Sequence, residues 1–259
     1  MSCRVCAIVP SHDHWASVGV VVARLRAAGL PVYVVDDGSG EPARSVLAAL
    51  HDEAGGVIVT RLDPNQGKGS AVILGFRLAL AAGFTHAVQV DADGQHDLDA
   101  LASLLTLSER HPTALVSGQP IYDASVPPSR KFGRWATHIW VWIETLSFAI
   151  TDSLCGFRVY PLAAVEKLLA RDHLGRRMDF DPEIMVRLFW AGTPVAMLPV
   201  KVIYPPGNTS NFDLLADNWR MTKMHTRLVI AMLLHLPSIL LHRPKRFEPA
   251  RVSSVIRDL

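Results

Sequence analysis

The sequence has no apolar run of the ~18 to 20 residues that a membrane-spanning helix needs. The longest candidate, residues 228–241, is interrupted by His235 and Pro237. Charge of one sign is also lacking, because 26 Lys and Arg stand against 24 Asp and Glu and leave a net charge of +2. A balance this close to neutral gives no reason to expect a nucleic-acid partner. Internal repeats, low-complexity tracts and linkers are missing too, so the sequence predicts one domain over residues 1–259.

Cysteine is scarce and odd in number, with only Cys3, Cys6 and Cys155. Because no signal-peptide pattern is recognisable, we expect reduced thiols and a cytoplasmic location. Cys3 and Cys6 have a spacing that occurs in zinc sites, but no second pair follows. Cys6 also opens an apolar strand, so burial of this pair is the expected outcome.

Two familiar phosphate-binding loops are absent. The first predicted strand is followed by Pro10-Ser11-His12 and not by a glycine-rich turn, which argues against a dinucleotide-binding fold. Gly67-Lys68-Gly69-Ser70 is not a P-loop, because Leu62 stands where the first glycine belongs and Gly69 separates the lysine from the serine. Residues 65–69 still lie between a strand and a helix start, where free backbone N–H groups and a lysine favour an anion.

Apolar strands and helical patterns alternate through the first half of the chain. Strands are predicted at residues 4–9, 31–35, 57–61, 86–90 and 114–118, and helices at 18–28, 42–53, 69–82 and 98–110. This alternation is typical of a parallel sheet covered by helices on both faces. Later residues predict a loop rich in proline and cations (120–134), helices at 135–150, 161–171 and 181–191, one or two strands within 194–204, and one long helix or two over 211–236.

Carboxylates follow two of the predicted strands. Asp91-Ala92-Asp93-Gly94 comes directly after the strand at 86–90, and ligands of open α/β sheets bind beyond such strand ends. A turn at Gly94 would let Asp91 and Asp93 converge on Mg²⁺ or Mn²⁺, with substrate phosphates completing the coordination. The alternative is that these residues only cap the next helix.

Polar groups at two other strand ends are open to more than one interpretation. Asp36 and Asp37 end the second strand, where their oxygens can accept hydrogen bonds either from a nucleoside or from their own turn. His12 and His14 follow the first strand and, without a third ligand, are interpreted as loop residues.

The motifs, in this order, resemble family 2 of the inverting glycosyltransferases, and most closely its dolichol-phosphate mannosyltransferase branch. They are Ile8-Val9-Pro10, Val34-Val35-Asp36-Asp37-Gly38-Ser39, Asn65-x-Gly67-Lys68-Gly69, Asp91-Ala92-Asp93-Gly94-Gln95-His96 and Thr151-Asp152-x-x-x-Gly156-Phe157-Arg158. The likeness covers about residues 4–200. It implies an α/β GT-A fold with a mostly parallel central sheet, flanking helices and a C-terminal helical segment. It also implies a UDP- or GDP-linked nucleotide-diphospho-sugar donor and a Mg²⁺ or Mn²⁺ ion.

The resemblance assigns expected roles to the parts of the chain. Residues 1–118 would form the nucleotide-sugar half, 119–210 the acceptor half, and 211–259 a C-terminal helix with a basic tail. Asp152 matches the acidic residue beside the reacting centre. The implied donor-binding residues, with Asp91 and Asp93 as the metal ligands, are Pro10, Asp36, Asp37, Lys68, Asp91, Asp93 and Gln95.

A run of cations precedes the aromatic helix: Arg130, Lys131 and Arg134. We expect them either to close as a mobile loop over the donor phosphates and exclude water, or to form a solvated cationic loop.

Two cations that polyprenyl-phosphate enzymes of this branch carry near the acceptor phosphate are missing here. Gly118-Gln119-Pro120 stands where Gly-Ser-Arg is usual, and Tyr204 to Ser210 contains no arginine. A phosphate acceptor is already ionised at neutral pH, whereas an alcohol needs a general base. We therefore expect a lipid-linked or amphiphilic acceptor that reacts through a hydroxyl, with a polyprenyl phosphate as the alternative. Asp152 is the first candidate base, followed by Asp179, Asp181 and Glu183.

Two apolar segments lie in the second half of the chain. Most of the aromatic side chains Trp135, Trp140, Trp142 and Phe148 are expected in the core, with an acceptor groove or a membrane-facing edge as the alternative. Residues 228–241 and the following His242, Arg243, Lys245 and Arg246 either pack on the core or make a peripheral contact with the inner face of the cytoplasmic membrane.

Two other functions are less consistent with the sequence. A sugar-nucleotide pyrophosphorylase would carry a glycine-rich, arginine-bearing loop after Val9, and this chain has none. A catalytically inactive sugar-nucleotide-binding scaffold would have no reason to keep Asp91, Asp93 and Asp152 together.

Overall fold

The computed structural model describes residues 3–121, 128–202 and 213–241. Within them, one sheet contains seven strands: Val5–Ser11 (β1), Val32–Asp37 (β2), Val57–Leu62 (β3), His86–Gln89 (β4), Leu115–Ile121 (β5), Arg158–Pro161 (β6) and Val195–Lys201 (β7). Their order is β3-β2-β1-β4-β6-β5-β7. β6 runs antiparallel to both of its neighbours, and all other neighbouring strands are parallel. The mostly parallel sheet predicted from the sequence is confirmed.

Helices cover both faces of this sheet. Those of the described residues are Val18–Ala27 (α1), Ala43–Ala49 (α2), Lys68–Ala81 (α3), Leu101–Arg110 (α4), Pro128–Thr145 (α5), Leu162–Arg171 (α6), Phe180–Trp190 (α7) and Leu214–Leu241 (α8). Buried residues of α1, α2 and α4 belong to one hydrophobic core, and those of α3 and α5 to α8 belong to the other. Among the residues described, none of the helices combines the length and the apolarity that crossing a bilayer requires.

The central strands are apolar on both faces because both faces are covered. In β1, Cys6 and Ile8 point into one core and Ala7 and Val9 into the other. This is the continuous apolar run that a doubly covered parallel strand needs. Helix α3 approaches β1 closely at Gly75, where a Cβ atom would lie 2.4 Å from Ile8 Cγ2. Because Gly75 has no side chain, α3 can pack close against the sheet.

The segment after β5 differs from the prediction. The sequence predicted a loop over residues 120–134 and a helix over 135–150, but β5 extends to Ile121 and α5 already begins at Pro128. Proline is favourable in the first helical turn because its fixed φ suits a helix and its missing N–H costs nothing there. The helix ends before Leu146, which has a φ of +50°. Arg134 is consequently a helical residue and not part of a loop.

The core prediction for the aromatic side chains was mostly wrong. Trp135 is 54% exposed, Trp140 47% and Phe148 70%. Trp142 is partly buried, and its indole N–H donates to the carbonyl of Ile150 at 2.8 Å. Apolarity alone predicted burial, but α5 packs against α7 and α8 through only one of its faces.

The long C-terminal helix α8 forms as one element and passes through Pro237. It packs on the core through Met224, Leu228 and Met232, whereas Leu233 and Leu234 are exposed. The basic segment that follows, residues 242–246, lies outside the described residues.

Candidate active site

The two carboxylates that end β2 are buried, and each accepts hydrogen bonds from the backbone of a turn. Asp36 accepts the backbone N–H of Ser39 at 2.9 Å and forms an ion pair with Arg61 of β3. Asp37 accepts the backbone N–H groups of Gln66 at 2.7 Å and of Gly67 at 2.8 Å. The turn-forming interpretation therefore describes the contacts of both residues, and nucleoside binding by Asp36 and Asp37 stays a prediction.

Three backbone N–H groups at the turn before α3 already have partners within the chain. Two of its N–H groups bind Asp37, and the N–H of Ser70 donates to the carbonyl of Arg176 at 3.1 Å. Gly67 and Gly69 are needed for packing, because a Cβ atom at either would lie within 2.4 to 2.7 Å of residues 175–180. The glycines thus permit two backbone segments to touch, and Lys68 is the cationic group that this turn presents.

Lys68 lies between two carboxylates at the tip of β4. Its Nζ is 2.8 Å from Asp91 Oδ1 and 2.8 Å from Asp181 Oδ2. Burial alone would lower the pKa of Lys68, but the two carboxylates outweigh it and raise the pKa above its usual range. Burial would raise the pKa of Asp91, but Lys68 and His96 outweigh it and hold the pKa well below its usual range. Both groups are therefore charged at neutral pH.

Two histidines lie close to the predicted metal ligands. His96 Nε2 is 3.3 Å from Asp91 Oδ2, and its ring stacks on Phe157 with centroids 5.3 Å apart. His14 has its pKa lowered by burial, while Asp93 and Asp91 both act to raise it. The sequence analysis interpreted His14 as a loop residue and did not indicate that it lies near these two carboxylates. The pairing of β1 with β4 brings them together.

A buried network of hydrogen bonds holds Asp181, one of the two partners of Lys68. Gln89 Nε2 donates to Asp181 Oδ1 at 3.1 Å, and the hydroxyl of Tyr160 donates to Gln89 Oε1 at 3.2 Å. Arg158 is fully buried and donates from Nη1 to the backbone carbonyl of Asp181 at 2.7 Å. Sequence reasoning did not assign these roles, although Gln89, Arg158 and Tyr160 are polar residues in otherwise apolar strands, and that was the available signal.

Asp152 lies in a second cluster next to this one. Its carboxylate accepts two hydrogen bonds from Arg134 Nη2, at 2.7 and 2.9 Å, and one from Arg134 Nε at 3.2 Å. The backbone N–H groups of Leu154 and Cys155 donate to Oδ1 at 2.9 and 2.8 Å. The same segment abuts the first cluster, because a Cβ atom on Gly156 would lie 2.6 Å from Asp91 Oδ2.

The reserve candidates for the base have structural contacts. Glu183 is fully buried, accepts the N–H of Gly175 at 2.8 Å, and pairs with Arg187 and Arg227. Asp181 binds Lys68, as described above, and Asp179 accepts the N–H of Arg177 at 3.1 Å.

The remaining predicted site residues are placed as follows. Pro10 lies in β1 opposite Val35, one residue before the Ser11–Asp36 pair. The backbone N–H of Gln95 donates to Asp93 Oδ1 at 3.0 Å, and Gln95 is partly exposed. Arg130 and Lys131 belong to the start of α5, but their side chains lie outside the described part of the chain.

Asp91 and Asp93 suit a divalent cation in their chemistry. Gly94 has a φ of +73°, so the predicted turn at this position is confirmed. Among the described residues, no group of three or more His, Cys, Asp or Glu side chains converges as a metal site. Mg²⁺ is commonly held by one or two carboxylates with substrate phosphates supplying further oxygens, and these two residues fit that pattern. A cation here would share Asp91 with Lys68.

Replacing Lys68 with Met should destabilise the protein, because it leaves the buried Asp181 and the partly buried Asp91 without their cation. Breaking a fully buried ion pair costs about 3 to 5 kcal/mol, and the cost here should be smaller because the Asp91 side chain is 22% exposed. Because the pKa of Asp91 is lower in the fold than in the unfolded chain, its ionisation stabilises the fold above the unfolded-chain pKa, and this stabilisation is lost on acidification. Because the pKa of Lys68 is raised, the stabilisation from its charge is lost only in alkali. The deficit should therefore persist through neutral pH and shrink in acid.

Urea denaturation over a pH series, in metal-free buffer, measures this difference. Lys167→Met, which replaces an exposed lysine of α6, is the matched control. Equal free energies of unfolding for the two variants at neutral pH would contradict the assignment of Lys68.

Comparison with known proteins identifies the family. The model of glycosyl transferase family 2 matches residues 6–173. An undecaprenyl-phosphate mannosyltransferase of Micrococcus luteus is 31% identical over 163 residues, which are 61% of this chain and 66% of that protein. A polyprenol monophosphomannose synthase of Mycolicibacterium smegmatis is 28% identical over 171 residues, 64% of each chain. The matches thus span slightly less than two thirds of these two relatives.

Solved structures show the same fold. Glucosyl-3-phosphoglycerate synthase of Mycobacterium tuberculosis, in complex with Mn²⁺, UDP-glucose and phosphoglyceric acid, superposes with a TM-score of 0.61 at 17% identity, over 92% of this chain and 80% of that one. The mannosyltransferase PcManGT of Pyrobaculum calidifontis, with GDP-mannose and Mn²⁺, gives 0.53 at 15% identity, over 93% and 79%. With the family model covering more than half of the chain, this protein belongs to glycosyl transferase family 2 and has the GT-A fold.

Proposed function

We propose that the protein transfers a hexose from a UDP- or GDP-linked sugar to a hydroxyl of a lipid-linked or amphiphilic acceptor, with inversion at the anomeric carbon and with help from Mg²⁺ or Mn²⁺. The observation that carries this proposal is the contact between Asp91 and the segment that begins at Asp152. Gly156, four residues after Asp152, packs against the carboxylate of Asp91, where a Cβ atom would lie 2.6 Å from Oδ2. A segment with a group suited to the acceptor side therefore touches a group suited to the donor cation.

The donor half of the proposal rests on charge at the tips of β2 and β4. Asp91 and Asp93 would hold the cation, and Lys68 would lie near the diphosphate. Asp36, Asp37 and Pro10 would contact the nucleoside, and Gln95 the sugar. When bound, the cation supplies Lewis-acid stabilisation of the departing nucleoside diphosphate. The Mn²⁺ and sugar nucleotides bound to the mycobacterial and archaeal structures are consistent with this assignment.

The acceptor side distinguishes two candidates. A hydroxyl is favoured by Pro120, which stands where the related lipid-phosphate enzymes carry an arginine, and by the cluster around Asp152. A polyprenyl phosphate is the second candidate because two relatives bear names of enzymes that act on such phosphates. Direct inversion requires the acceptor to attack from the side opposite the diphosphate, so either acceptor would lie towards α5.

A transfer assay tests the proposal and separates the two acceptors. UDP- and GDP-sugars are offered with Mn²⁺ and with either a long-chain alcohol or a polyprenyl phosphate. We expect product from the alcohol, loss of product with a chelator, and loss of product in Asp93→Asn. Asp99→Asn changes an exposed aspartate that pairs with Arg24, and this variant should react like the wild type.

Product from the lipid phosphate alone would contradict the hydroxyl acceptor and favour the second candidate. Sugar nucleotide that binds but never turns over would instead indicate an inactive scaffold.

We also propose that α5 and α8 form the surface that contacts an anionic membrane from the cytoplasmic side. Exposed apolar side chains of these helices include Trp135, Trp140, Trp219, Ile230 and Leu234. They alternate with cations: Lys223 Nζ lies 5.0 Å from the Trp219 ring centroid, and Arg227 is half exposed. Apolar surface mixed with cations suits the headgroup region of an acidic bilayer.

Co-sedimentation with vesicles tests this surface. The chain should bind phosphatidylglycerol vesicles more strongly than phosphatidylcholine vesicles, and Leu234→Ser together with Lys223→Glu should weaken that binding. Val20→Ser removes another exposed apolar side chain, 64% exposed against 77% for Leu234, from α1 on the other face of the sheet. It should bind as the wild type does. Equal binding by all three chains would contradict the proposed surface.

A further inference from the structure

His138 lies one turn after Arg134 on the face of α5 that meets Asp152. Its Nε2 is 3.6 Å from Asp152 Oδ2, and its side chain is 15% exposed. The carboxylate of Asp152 has little capacity left for a substrate proton. Oδ1 receives two backbone N–H groups and Arg134, and Oδ2 receives Arg134 and faces His138. Taking up a proton there would require the bidentate pair with Arg134 to weaken.

The other ring nitrogen of His138, unlike the carboxylate of Asp152, has capacity left for a substrate proton. Nδ1 is buried and has no hydrogen-bond partner among the described residues. With Nε2 facing a carboxylate, the favoured tautomer carries its proton on Nε2 and leaves the lone pair of Nδ1 available. Buried polar atoms without partners are rare, and a substrate hydroxyl is a partner that would satisfy this one.

The charge state of the ring suits a proton acceptor. Burial lowers the pKa of His138 from its ordinary value, Asp152 acts to raise it and Arg134 acts to lower it. These two groups, from α5 and from the segment after it, are the charges that act on the ring among the described residues. The imidazole is consequently neutral at pH 7, as a general base must be.

We propose that His138 is the general base of the transfer and that Asp152 and Arg134 are its positioning residues. This inference rests on the proposed hydroxyl acceptor. The acceptor oxygen forms a bond to the anomeric carbon while the bond from that carbon to the diphosphate breaks. The bonding pair leaves with the nucleoside diphosphate, and the hydroxyl proton moves to Nδ1 of His138. The resulting imidazolium is stabilised by the carboxylate of Asp152 on its other side.

The place of the cluster agrees with this role. Asp152 and Gly156 belong to one short segment, and Gly156 lies directly against the carboxylate of Asp91. The segment whose first residue faces His138 therefore also touches the proposed cation ligand. In this arrangement Asp152 orients the ring and compensates its charge, as the carboxylate does in other carboxylate–histidine pairs.

The pH dependence of kcat separates the two possible bases. Wild-type kcat for the alcohol acceptor should fall as the pH drops below the pKa of His138, because protonation removes the base. His138→Ala should lose that acidic limb and lower kcat by about 100-fold or more, the usual range for a general base. The KM for the donor should stay unchanged, and added imidazole should restore part of the rate. His173→Gln, an exposed histidine, should keep the wild-type profile.

Asp152→Asn gives the decisive comparison. Since Asp152 raises the pKa of His138, removing its charge should shift the acidic limb to lower pH but retain it. Loss of the limb in Asp152→Asn with retention in His138→Ala would overturn the inference and make Asp152 the base. His138→Gln replaces the alanine variant if that one does not fold. A wild-type profile that lacks an acidic limb would overturn the inference by itself, whereas no transfer to any alcohol would contradict the proposed function first.

Discussion

The ammonium group of Lys68 joins three parts of the fold that meet at the tip of β4. Lys68 is the first residue of α3. Of its two partners, Asp91 belongs to the turn after β4 and Asp181 belongs to α7. Without this cation, the carboxylates of the partly buried Asp91 and the buried Asp181 would lose their shared partner at a cost in stability. The arrangement of the three segments therefore depends on this contact, and the close packing of α3 on the sheet at Gly75 helps to place Lys68.

The same contact is compatible with the proposed donor. A divalent cation would offer Asp91 a further positive partner, and a diphosphate would offer Lys68 a further negative partner, so the proposed ligand would leave neither charge unpaired. Below it, Gln89 and Arg158 hold Asp181 in place through hydrogen bonds that do not involve the ligand.

The antiparallel strand β6 joins the two halves of the chain. It lies between β4 and β5, so a strand of the second half completes the centre of the sheet. Gly156, which lies just before β6, packs against the carboxylate of Asp91. This inserted strand thus fixes the segment that contains Asp152 relative to the turn that contains Asp91.

Sequence periodicity predicted most strands and helices because each of them is buried in a regular pattern. The places of the carboxylates at the strand ends were also predictable, because each directly follows an apolar run. The sequence did not distinguish ligand binding from turn formation, and the hydrogen bonds that Asp36 and Asp37 accept from the backbone come from turns. Contacts between distant segments were not predictable. Gln89 and Asp181 are 92 residues apart in the chain, and nothing local indicates that they meet. The exposed Trp135 and Trp140 were predicted to be buried because apolarity does not reveal which face of a helix is covered.

The central claim is that Asp91 and Asp93 hold a divalent cation together with the diphosphate of a sugar nucleotide. The electron paramagnetic resonance signal of free Mn²⁺, titrated with the protein in the presence and absence of UDP or GDP, measures this most directly. The account predicts weak Mn²⁺ binding by the protein alone, tight binding when one of the nucleotides is added, and loss of that enhancement in Asp91→Asn and in Asp93→Asn. Nucleotide-dependent Mn²⁺ binding that is the same in the wild type and in both variants would contradict it.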